Sequence, residues 1–221
     1  MALQNHITMV AINEEFTKQI ETFNKEYPNF QKKTESGCSY LKGILDIPDD
    51  NGNIACSFSI EIYPSKDFPF AFPVIYEVGG EIPCEADWHK YPDNSCCLTV
   101  PAKEKLICRN GITLVWFVQN IAIPYFANQI YKKQEGKYLQ EYSHGTKGIR
   151  EFYAELFQSS DYKVWRHCLE NSFGSTKFER NGSCYCNSGK KYKKCHLPIE
   201  NEVRSIGKEQ IVVDFKNMGL I

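Results

Sequence analysis

Three cysteines and a histidine crowd into one short segment, and this feature constrains the local fold more than any other. The segment CYCNSGKKYKKCH has the spacing C-x-C-x8-C-H, and its candidate ligands are Cys184, Cys186, Cys195 and His196. Thiolate and imidazole are ligands that zinc prefers, and four of them close a tetrahedral site with no open position. The spacing therefore predicts a structural zinc ion, without which so small a segment could not fold.

The chain has ten cysteines, but they do not form the dense pattern of a small disulfide-bonded secreted protein. Its first residues, MALQNHITMVAINEEF, lack a basic leader followed by a long apolar core, so we expect a cytoplasmic protein with reduced thiols. The scattered cysteines are expected to be small buried side chains. They are Cys38, Cys56, Cys84, Cys108, Cys168 and one of the pair Cys96 and Cys97.

The formal net charge is -1, so the composition implies no global attraction to nucleic acid or to a membrane. The longest apolar stretch, residues 112–127, is interrupted by Gln119, Asn120 and Pro124. It is also shorter than the ~20 residues that a spanning helix needs. We therefore predict a buried helix and no membrane partner, while a local attraction to nucleic acid stays open.

A length of 221 residues allows one full hydrophobic core and a minor appendage. We predict a catalytic domain over residues 1–158, a helical connection over 159–176, a zinc knuckle over 177–198 and a tail over 199–221. In the tail, the apolar run at residues 211–213 favours an edge strand or pairing with a partner.

Hydrophobic periodicity predicts an α+β fold, with helices segregated from a small antiparallel sheet. An amphipathic helix is predicted over residues 13–26. Two alternating β-rich runs, residues 40–47 and 54–62, flank the turn sequence Asp-Asp-Asn-Gly, and a third run spans residues 74–78. This order predicts an antiparallel meander after the first helix.

Beyond the meander, residues 80–111 show no clear periodicity, which indicates a long ordered loop that carries function. A long helix with a kink at Pro124 is predicted next. Its apolar face consists of Val115, Val118, Ala122, Phe126 and Ile130. A further helix is predicted over residues 149–157.

Two stretches carry candidate chemistry, FPFAFP at residues 68–73 and HKYPDNSCCL at residues 89–98. The first resembles the tyrosine-proline-phenylalanine, proline-proline signature of ubiquitin-conjugating enzymes. In the second, His89 matches the histidine of that family's His-Pro-Asn triplet, and Cys97 takes the place of its catalytic cysteine. Cys96 stands where the family has isoleucine.

The resemblance extends over roughly residues 10–155. In its departures from the family pattern, the chain is similar to the prokaryotic conjugating enzymes found beside bacterial immune genes. It implies a ubiquitin-conjugating-type fold, with an N-terminal helix, a small antiparallel meander sheet and C-terminal helices. It also implies a transferase that carries a protein C-terminus or a ubiquitin-like modifier as a thioester on Cys97 and transfers it to an amine in antiphage immunity. A candidate cargo is the C-terminus of a nucleotide-signalling immune enzyme.

The chain departs from the family at two positions of the triplet. Lys90 and Tyr91 replace its proline and asparagine, so the support that the asparagine gives to the oxyanion or the loop is unassigned. Residues 141–153, EYSHGTKGIREFY, also resemble a block of the prokaryotic forms, and chemistry assigns that block no role. His144 within it either approaches the site or caps a helix start.

Transfer to an amine needs one accessible thiol of modest nucleophilicity and no catalytic triad. With a reference pKa of about 10.4, few lysine amines are neutral at pH 7, so a nearby carboxylate that takes the proton is expected. Asp87 and Asp93 are the candidates on this loop, and the candidate catalytic residues are Cys97, His89 and Asp93. The chain has no glycine-rich nucleotide loop, so a separate activating enzyme or an already activated acyl group must supply the cargo.

Two other interpretations stay open. A cysteine peptidase would use Cys97 as nucleophile and His144 or His89 as base. Papain-like thiols lie at a helix N-terminus, whereas here Pro101 follows closely and residues 98–100 favour an extended chain. A non-catalytic adaptor would instead dock a partner through the same fold, and a reducible adduct that depends on Cys97 would exclude it.

The run RNGSCYCNSGKKYKKCH resembles the SEC-C motif, named for the tail of the Sec translocation ATPase. Four lysines surround Tyr192 in this run and predict a basic surface with an aromatic centre. They are Lys190, Lys191, Lys193 and Lys194. Such a surface either contacts phosphates or an acidic protein patch, or only keeps the knuckle soluble.

Overall fold

The computed structural model describes residues 12–139, 141–175 and 177–221, which divide into two compact units. Within these residues, the first unit is 12–98 with 110–141, and the second is 99–109 with 142–221. The domain boundaries drawn from the sequence at residues 158, 176 and 198 stay predictions.

The first unit is a mixed α+β body built on a four-stranded antiparallel sheet with strand order β1-β2-β3-β4. Its elements are α1 (Glu14–Glu26), β1 (Phe30–Glu35), β2 (Cys38–Pro48), β3 (Ile54–Tyr63), β4 (Val74–Glu77), α3 (Leu114–Phe117) and α4 (Ile123–Glu135). The α+β class and the meander are confirmed. The sequence did not predict β1, because only Phe30 in this edge strand is buried and no alternation results.

The predicted opening helix is confirmed as α1, with Asn13 as its N-cap. The Asn13 side chain accepts a hydrogen bond from the Phe16 N–H at 2.9 Å and donates one to the Phe68 carbonyl at 2.8 Å. Three buried side chains at helical spacing form the inner face of α1: Phe16, Ile20 and Phe23. In β3 every second side chain points inwards, so the sheet supplies the other wall of the core; these residues are Phe58, Ile60 and Ile62.

The predicted long helix is present as α3, a π-helical turn at Val118–Ala122 and α4. The N–H of Ile123 bonds to the Val118 carbonyl, which is the i to i+5 pattern of a π turn. The irregularity therefore lies immediately before Pro124, which has no N–H with which to continue an α-helical ladder.

The second unit is helical apart from the cysteine-rich segment. Its elements are α2 (Pro101–Cys108), α5 (Gly145–Phe157), α6 (Tyr162–Phe173), α7 (His196–Ile206) and α8 (Lys208–Asn217). Tyr153, Trp165 and Phe215 lie at the centre of its core, with ring centroids 5.2 to 6.1 Å apart. The helix predicted over 149–157 and the helix in the connection are confirmed as α5 and α6.

Two predictions of local structure are wrong. The apolar run at residues 211–213 belongs to helix α8 and not to an edge strand, because a helix buries Ile211 and Phe215 on one face. Pairing of this run with a partner stays a prediction. The segment 80–111 is not entirely loop, since α2 begins within it. Pro101 is the first residue of α2, where its fixed φ and missing N–H are no disadvantage.

The cysteines outside the cluster form no disulfide bonds, and their predicted burial is only partly correct. Cys38, Cys96, Cys108 and Cys168 are buried as expected, but Cys84 is exposed and Cys56 is half-buried. Among the described residues, no helix combines the length and apolarity needed to cross a membrane.

Candidate functional site

The candidate nucleophile lies on a short β-hairpin formed by residues 89–97. The Tyr91 N–H donates to the Ser95 carbonyl at 2.9 Å, and the Cys97 N–H donates to the His89 carbonyl at 2.7 Å. Because side chains alternate along paired strands, the hairpin has two faces. The face that we call the Cys97 face carries His89, Tyr91, Ser95 and Cys97, and the opposite face carries the bridge pair Lys90 and Cys96.

The tip of this hairpin is formed by Pro92, Asp93 and Asn94. The Asn94 N–H bonds back to the Tyr91 carbonyl at 2.9 Å, and Asn94 has a left-handed φ of 67°. A tight turn followed by one left-handed residue is a common three-residue hairpin connection, which favours proline and asparagine at these positions. Asp93 Oδ1 accepts both the N–H and the hydroxyl of Ser95, at 2.9 and 2.6 Å. Asp93 therefore fixes the turn that precedes Cys97.

The opposite face of the hairpin is held by a buried ion pair. Lys90 Nζ lies 2.8 Å from Glu77 Oε2 and donates to the Ile82 carbonyl at 3.1 Å, and the two charged side chains are 2% and 0% exposed. The Cys96 N–H donates to the Ile75 carbonyl at the edge of β4, at 2.8 Å. The Cys96 side chain is buried, and burial raises the pKa of its thiol to about 12. These contacts fix the position of the hairpin against the sheet.

Cys97 itself is half-buried. Burial raises the pKa of its thiol above the usual value, a hydrogen bond from the Tyr91 hydroxyl lowers it, and the charge of Glu141 raises it again. The net effect is a raised pKa, so Cys97 is a thiol near neutral pH. This state suits acyl exchange, in which the thiol loses its proton as it attacks. It differs from the preformed thiolate of papain-like enzymes.

His89 is paired with Cys97 through the backbone, and its side chain lies beside Glu141. It is buried, has a left-handed φ of 47° and ends a 3-10 turn at Ala86–Trp88. Its Nδ1 atom is 3.8 Å from Glu141 Oε1, and its ring packs edge-to-face on Tyr138 with 5.0 Å between centroids. The Tyr125 hydroxyl donates to the His89 carbonyl at 2.9 Å, which fixes the backbone at the start of the hairpin.

Glu141 is the residue of this site that sequence reasoning missed. Its side chain is only 15% exposed, and its Oε2 atom is buried without a hydrogen-bond partner. Burial raises the pKa of its carboxyl to about 7, against a smaller lowering by Lys132. A carboxyl with this pKa exchanges protons near neutral pH. Glu141 lies within the block at residues 141–153 that the sequence set apart without a role.

Asp87 and His144 are the other two acid–base candidates. The Asp87 side chain is exposed, and its backbone carbonyl accepts hydrogen bonds from Lys132 Nζ and the Tyr138 hydroxyl. His144 occupies the N-cap position of α5 in the second unit, and its side chain makes no capping hydrogen bond there.

The second cluster consists of the four predicted metal ligands, and the structure brings all of them together. One ligand atom from each of Cys184, Cys186, Cys195 and His196 lies within 4.8 Å of the others. Cys184 Sγ is 3.2 Å from His196 Nδ1, and the sulfurs of Cys186 and Cys195 are 3.5 Å apart. A tetrahedral ion about 2.3 Å from each sulfur holds its ligands roughly 3.8 Å apart. The cluster therefore fits a metal ion, with His196 presenting Nδ1.

Two local structures position the four cluster residues: a tight turn after Cys184 and the first residues of helix α7. The Cys184 N–H donates to the Lys190 carbonyl at 2.9 Å, and Asn187 and Gly189 both have left-handed φ values that close the turn between them. Cys195 and His196 then begin α7. Burial opposes ionisation of Cys186, but hydrogen bonds from Ser188 and the neighbouring thiols lower its pKa to about 7, which favours the thiolate that binds metal.

The cluster is attached to α7 through a buried carboxylate. Glu200 is fully buried, and it accepts hydrogen bonds from the Tyr185 hydroxyl at 2.8 Å, from the Tyr192 hydroxyl and from Arg204 Nη2 at 2.9 Å. The predicted surface with an aromatic centre is therefore wrong, because Tyr192 faces the interior. The knuckle lysines Lys190, Lys191 and Lys194 remain exposed.

A comparison with protein-family models matches residues 180–198 to the SEC-C motif. The match covers the turn, the four candidate ligands and the start of α7, which confirms the SEC-C part of the sequence resemblance. Neither the curated proteins nor the solved structures gave a match to the chain. The second unit therefore contains a SEC-C motif whose four clustered side chains could hold a metal ion, and the first unit is interpreted from its own geometry.

Proposed function

We propose that this chain is a ubiquitin-conjugating-like acyl transferase, which carries a protein C-terminus or a ubiquitin-like modifier as a thioester on Cys97 and transfers it to an amine. The observation that carries the proposal is the geometry of one hairpin: the N–H of the half-buried Cys97 bonds to the His89 carbonyl at 2.7 Å, and His89 Nδ1 lies 3.8 Å from the carboxylate of Glu141. The order of elements supports it, because α1 precedes a four-stranded antiparallel meander and helices follow the cysteine. This is the order that the resemblance implies for a ubiquitin-conjugating-type fold.

Loading of Cys97 is an exchange between two thioesters. The Cys97 sulfur attacks the carbonyl carbon of the donor thioester, a new C–S bond forms and the donor C–S bond breaks. The donor leaves as a thiol with the proton that Cys97 loses. The exchange needs no nucleotide, so a separate activating enzyme supplies the activated acyl group.

Discharge transfers the acyl group to an amine and needs a proton acceptor. The amine nitrogen attacks the carbonyl carbon, a C–N bond forms and the bond to the Cys97 sulfur breaks. The amine proton passes to Glu141, whose Oε2 atom has no other partner, and the thiolate of Cys97 later regains a proton. Asp93 holds the hairpin turn through Ser95 and so positions Cys97 for both steps.

In this proposal the second unit contributes a structural zinc ion, held by the three thiolates and one imidazole of the SEC-C cluster. A closed set of four sulfur and nitrogen ligands is typical of structural zinc. On the resemblance to prokaryotic conjugating enzymes, the biological setting is antiphage immunity, with the C-terminus of a nucleotide-signalling enzyme as a candidate cargo.

Replacement of Cys97 tests the proposal directly. A fluorescent peptide whose C-terminal glycine is a small-molecule thioester should form an adduct with the wild-type chain on a denaturing gel, and added thiol should remove it. Cys97→Ala should form no adduct. Cys97→Ser should trap a small amount of a thiol-resistant ester, because its hydroxyl is a weaker nucleophile in the same place.

Cys96→Ala is the matched control, because Cys96 is the adjacent cysteine but is buried on the opposite face of the hairpin. It should form the adduct at close to the wild-type rate and lose only ~1 kcal/mol of stability, as a modest core truncation does. An adduct that persists in Cys97→Ala and disappears in Cys96→Ala would place the nucleophile at Cys96. Absence of any adduct on the wild-type chain would reject the transferase and leave the adaptor interpretation.

Glu141→Gln tests the proton transfer. With the carboxyl pKa at about 7, the wild-type discharge to lysine should rise with pH through neutrality as Glu141 ionises. The isosteric amide cannot accept a proton, so this rise should be missing and discharge at pH 7.5 should fall by roughly 10²-fold, as for loss of a general base. Single-turnover discharge of the preloaded thioester measures both.

Two controls separate this role from general damage. Asp87→Asn removes an exposed carboxyl from the turn just before the hairpin and should discharge like the wild type. Discharge to hydroxylamine, an amine already unprotonated at neutral pH, should be nearly unaffected by Glu141→Gln. A variant that loses both reactions equally would show that Glu141 only maintains the structure.

The peptidase interpretation is less well supported. A papain-like nucleophile needs a lowered thiol pKa, whereas burial and the charge of Glu141 raise that of Cys97.

A further inference from the structure

Both steps of the proposed transfer place negative charge on the Cys97 sulfur, first as it attacks and again as it leaves. Burial and the nearby Glu141 both oppose that charge. A transferase therefore needs a group beside the sulfur that stabilises the thiolate. Tyr91 is the group that the hairpin provides.

The hairpin geometry fixes the Tyr91 backbone with respect to Cys97. The Tyr91 N–H bonds to the Ser95 carbonyl at 2.9 Å, and the Tyr91 carbonyl accepts the Asn94 N–H at 2.9 Å and the Cys84 thiol at 3.1 Å. Residues diagonally opposite in an antiparallel pair lie on the same face, within reach of a long side chain. Tyr91 and Cys97 are such a diagonal pair.

The Tyr91 side chain completes the contact. Its hydroxyl donates a hydrogen bond to the Cys97 sulfur, while half of the residue remains exposed to solvent. This exposure leaves room for an acyl group to reach the sulfur from the solvent side. Tyr91 also stands where the family triplet has its asparagine, a position for which the sequence offered no role.

We propose that Tyr91 is a catalytic residue whose hydroxyl stabilises the charge on the Cys97 sulfur during loading and discharge. The role rests on the proposed transferase function. In loading, the phenol donates a hydrogen bond to the Cys97 sulfur while the sulfur loses its proton and forms the new C–S bond. In discharge, the same hydrogen bond strengthens as the C–S bond breaks and the thiolate leaves. The phenol keeps its own proton throughout, so no additional reactant is needed.

Tyr91→Phe removes the hydroxyl and keeps the ring. The first measurement is alkylation of Cys97 by iodoacetamide as a function of pH, quantified by peptide mass spectrometry on the full chain. The midpoint for Cys97 should rise by about one pH unit, which corresponds to a roughly tenfold slower reaction at pH 7. Cys56 in β3 is the internal reference and should react as in the wild type.

The second measurement is acyl transfer from the fluorescent peptide thioester to Cys97 and then to lysine. Both steps should slow at least tenfold in Tyr91→Phe, because both place charge on the same sulfur. Tyr63→Phe is the matched control, since the Tyr63 hydroxyl bonds to Glu61 on the sheet, and it should change neither measurement.

The outcomes separate this inference from the proposed function. An unchanged alkylation profile, or a shifted profile with unchanged acyl transfer, would overturn the role of Tyr91 while the transferase stands. Failure of the wild-type chain to form any thioester would overturn the transferase and with it this role, even if the alkylation profile shifts.

Discussion

Loss of the metal from the SEC-C cluster is expected to unfold the cysteine-rich segment and helix α7 of the second unit. Structural zinc contributes roughly 10–16 kcal/mol of apparent binding free energy in small zinc-binding peptides at pH 7. This binding free energy is as large as the whole free energy of unfolding of a typical domain, which is ~5–15 kcal/mol. The wild-type chain should therefore contain one zinc ion, and Cys184→Ser should contain almost none, as elemental analysis can measure.

The structure predicts where the damage should spread. Without the ion, the segment that carries Tyr185 and Tyr192 loses its shape, and Glu200 loses two of its hydroxyl donors. A fully buried carboxylate that keeps only Arg204 as a donor is costly, so α7 should open together with the knuckle. Hydrogen exchange should rise across residues 182–206 and remain at the wild-type level in the sheet of the first unit.

Two variants control for this interpretation. Cys56→Ser changes a half-buried cysteine outside the cluster and should keep one zinc ion per chain. Glu200→Gln should keep the ion but weaken the attachment of the knuckle, so that exchange rises without metal loss. Stoichiometric zinc in Cys184→Ser would rule out the assigned ligand set, and collapse of both units in that variant would refute their separate stability.

Lys90→Met is expected to destabilise the first unit by ~3–5 kcal/mol, the usual cost of leaving a buried charge without its partner. The Glu77 side chain is fully buried, and Lys90 Nζ is its ion-pair partner at 2.8 Å. Methionine fills the space of the lysine stem but cannot compensate the charge. Urea unfolding, with hydrogen exchange of peptides from residues 74–98, should show the loss.

Lys42→Met is the matched control for this pair. Lys42 Nζ lies 2.8 Å from Glu61 Oε1, the same separation, but the Lys42 side chain is 52% exposed. A surface pair of this kind contributes ~0–1 kcal/mol, so the comparison measures the effect of burial together with the extra hydrogen bond from Lys90 to the Ile82 carbonyl. The double variant Glu77→Gln, Lys90→Met removes the stranded charge and should regain most of the stability. Equal effects of Lys42→Met and Lys90→Met would contradict the role of the buried pair.

The ion pair also connects the fold to the site. Lys90 is the central residue of the first hairpin arm, directly opposite Cys96. Loss of the pair should loosen the hairpin that positions Cys97, so loading of Cys97 should slow in Lys90→Met. In the double variant, loading should recover together with stability.

The comparison of sequence and structure is clearest at the hairpin. The sequence singled out His89, Asp93 and Cys97, but it did not reveal that residues 89–97 pair with each other. A local signal was present, because Pro92, Asp93 and Asn94 favour the turn that the structure contains. The signal was overlooked because the surrounding strands are too short to produce alternation. Glu141 had no comparable signal, since its raised pKa arises from burial by residues distant in sequence.

The sequence by itself determined the candidate metal ligands and the amphipathic helices, because both depend on spacing within a few turns of chain. Cys184, Cys186, Cys195 and His196 are close in sequence, so their chelating geometry is a local property. Only the tertiary structure decided that residues 211–213 are helical and that Glu141 lies beside His89 and near Cys97. The helix and the environment of Glu141 both depend on burial, and burial is set by residues that are distant in sequence. Burial can override the local preference for a strand. It can also shift the pKa of a carboxyl by several units.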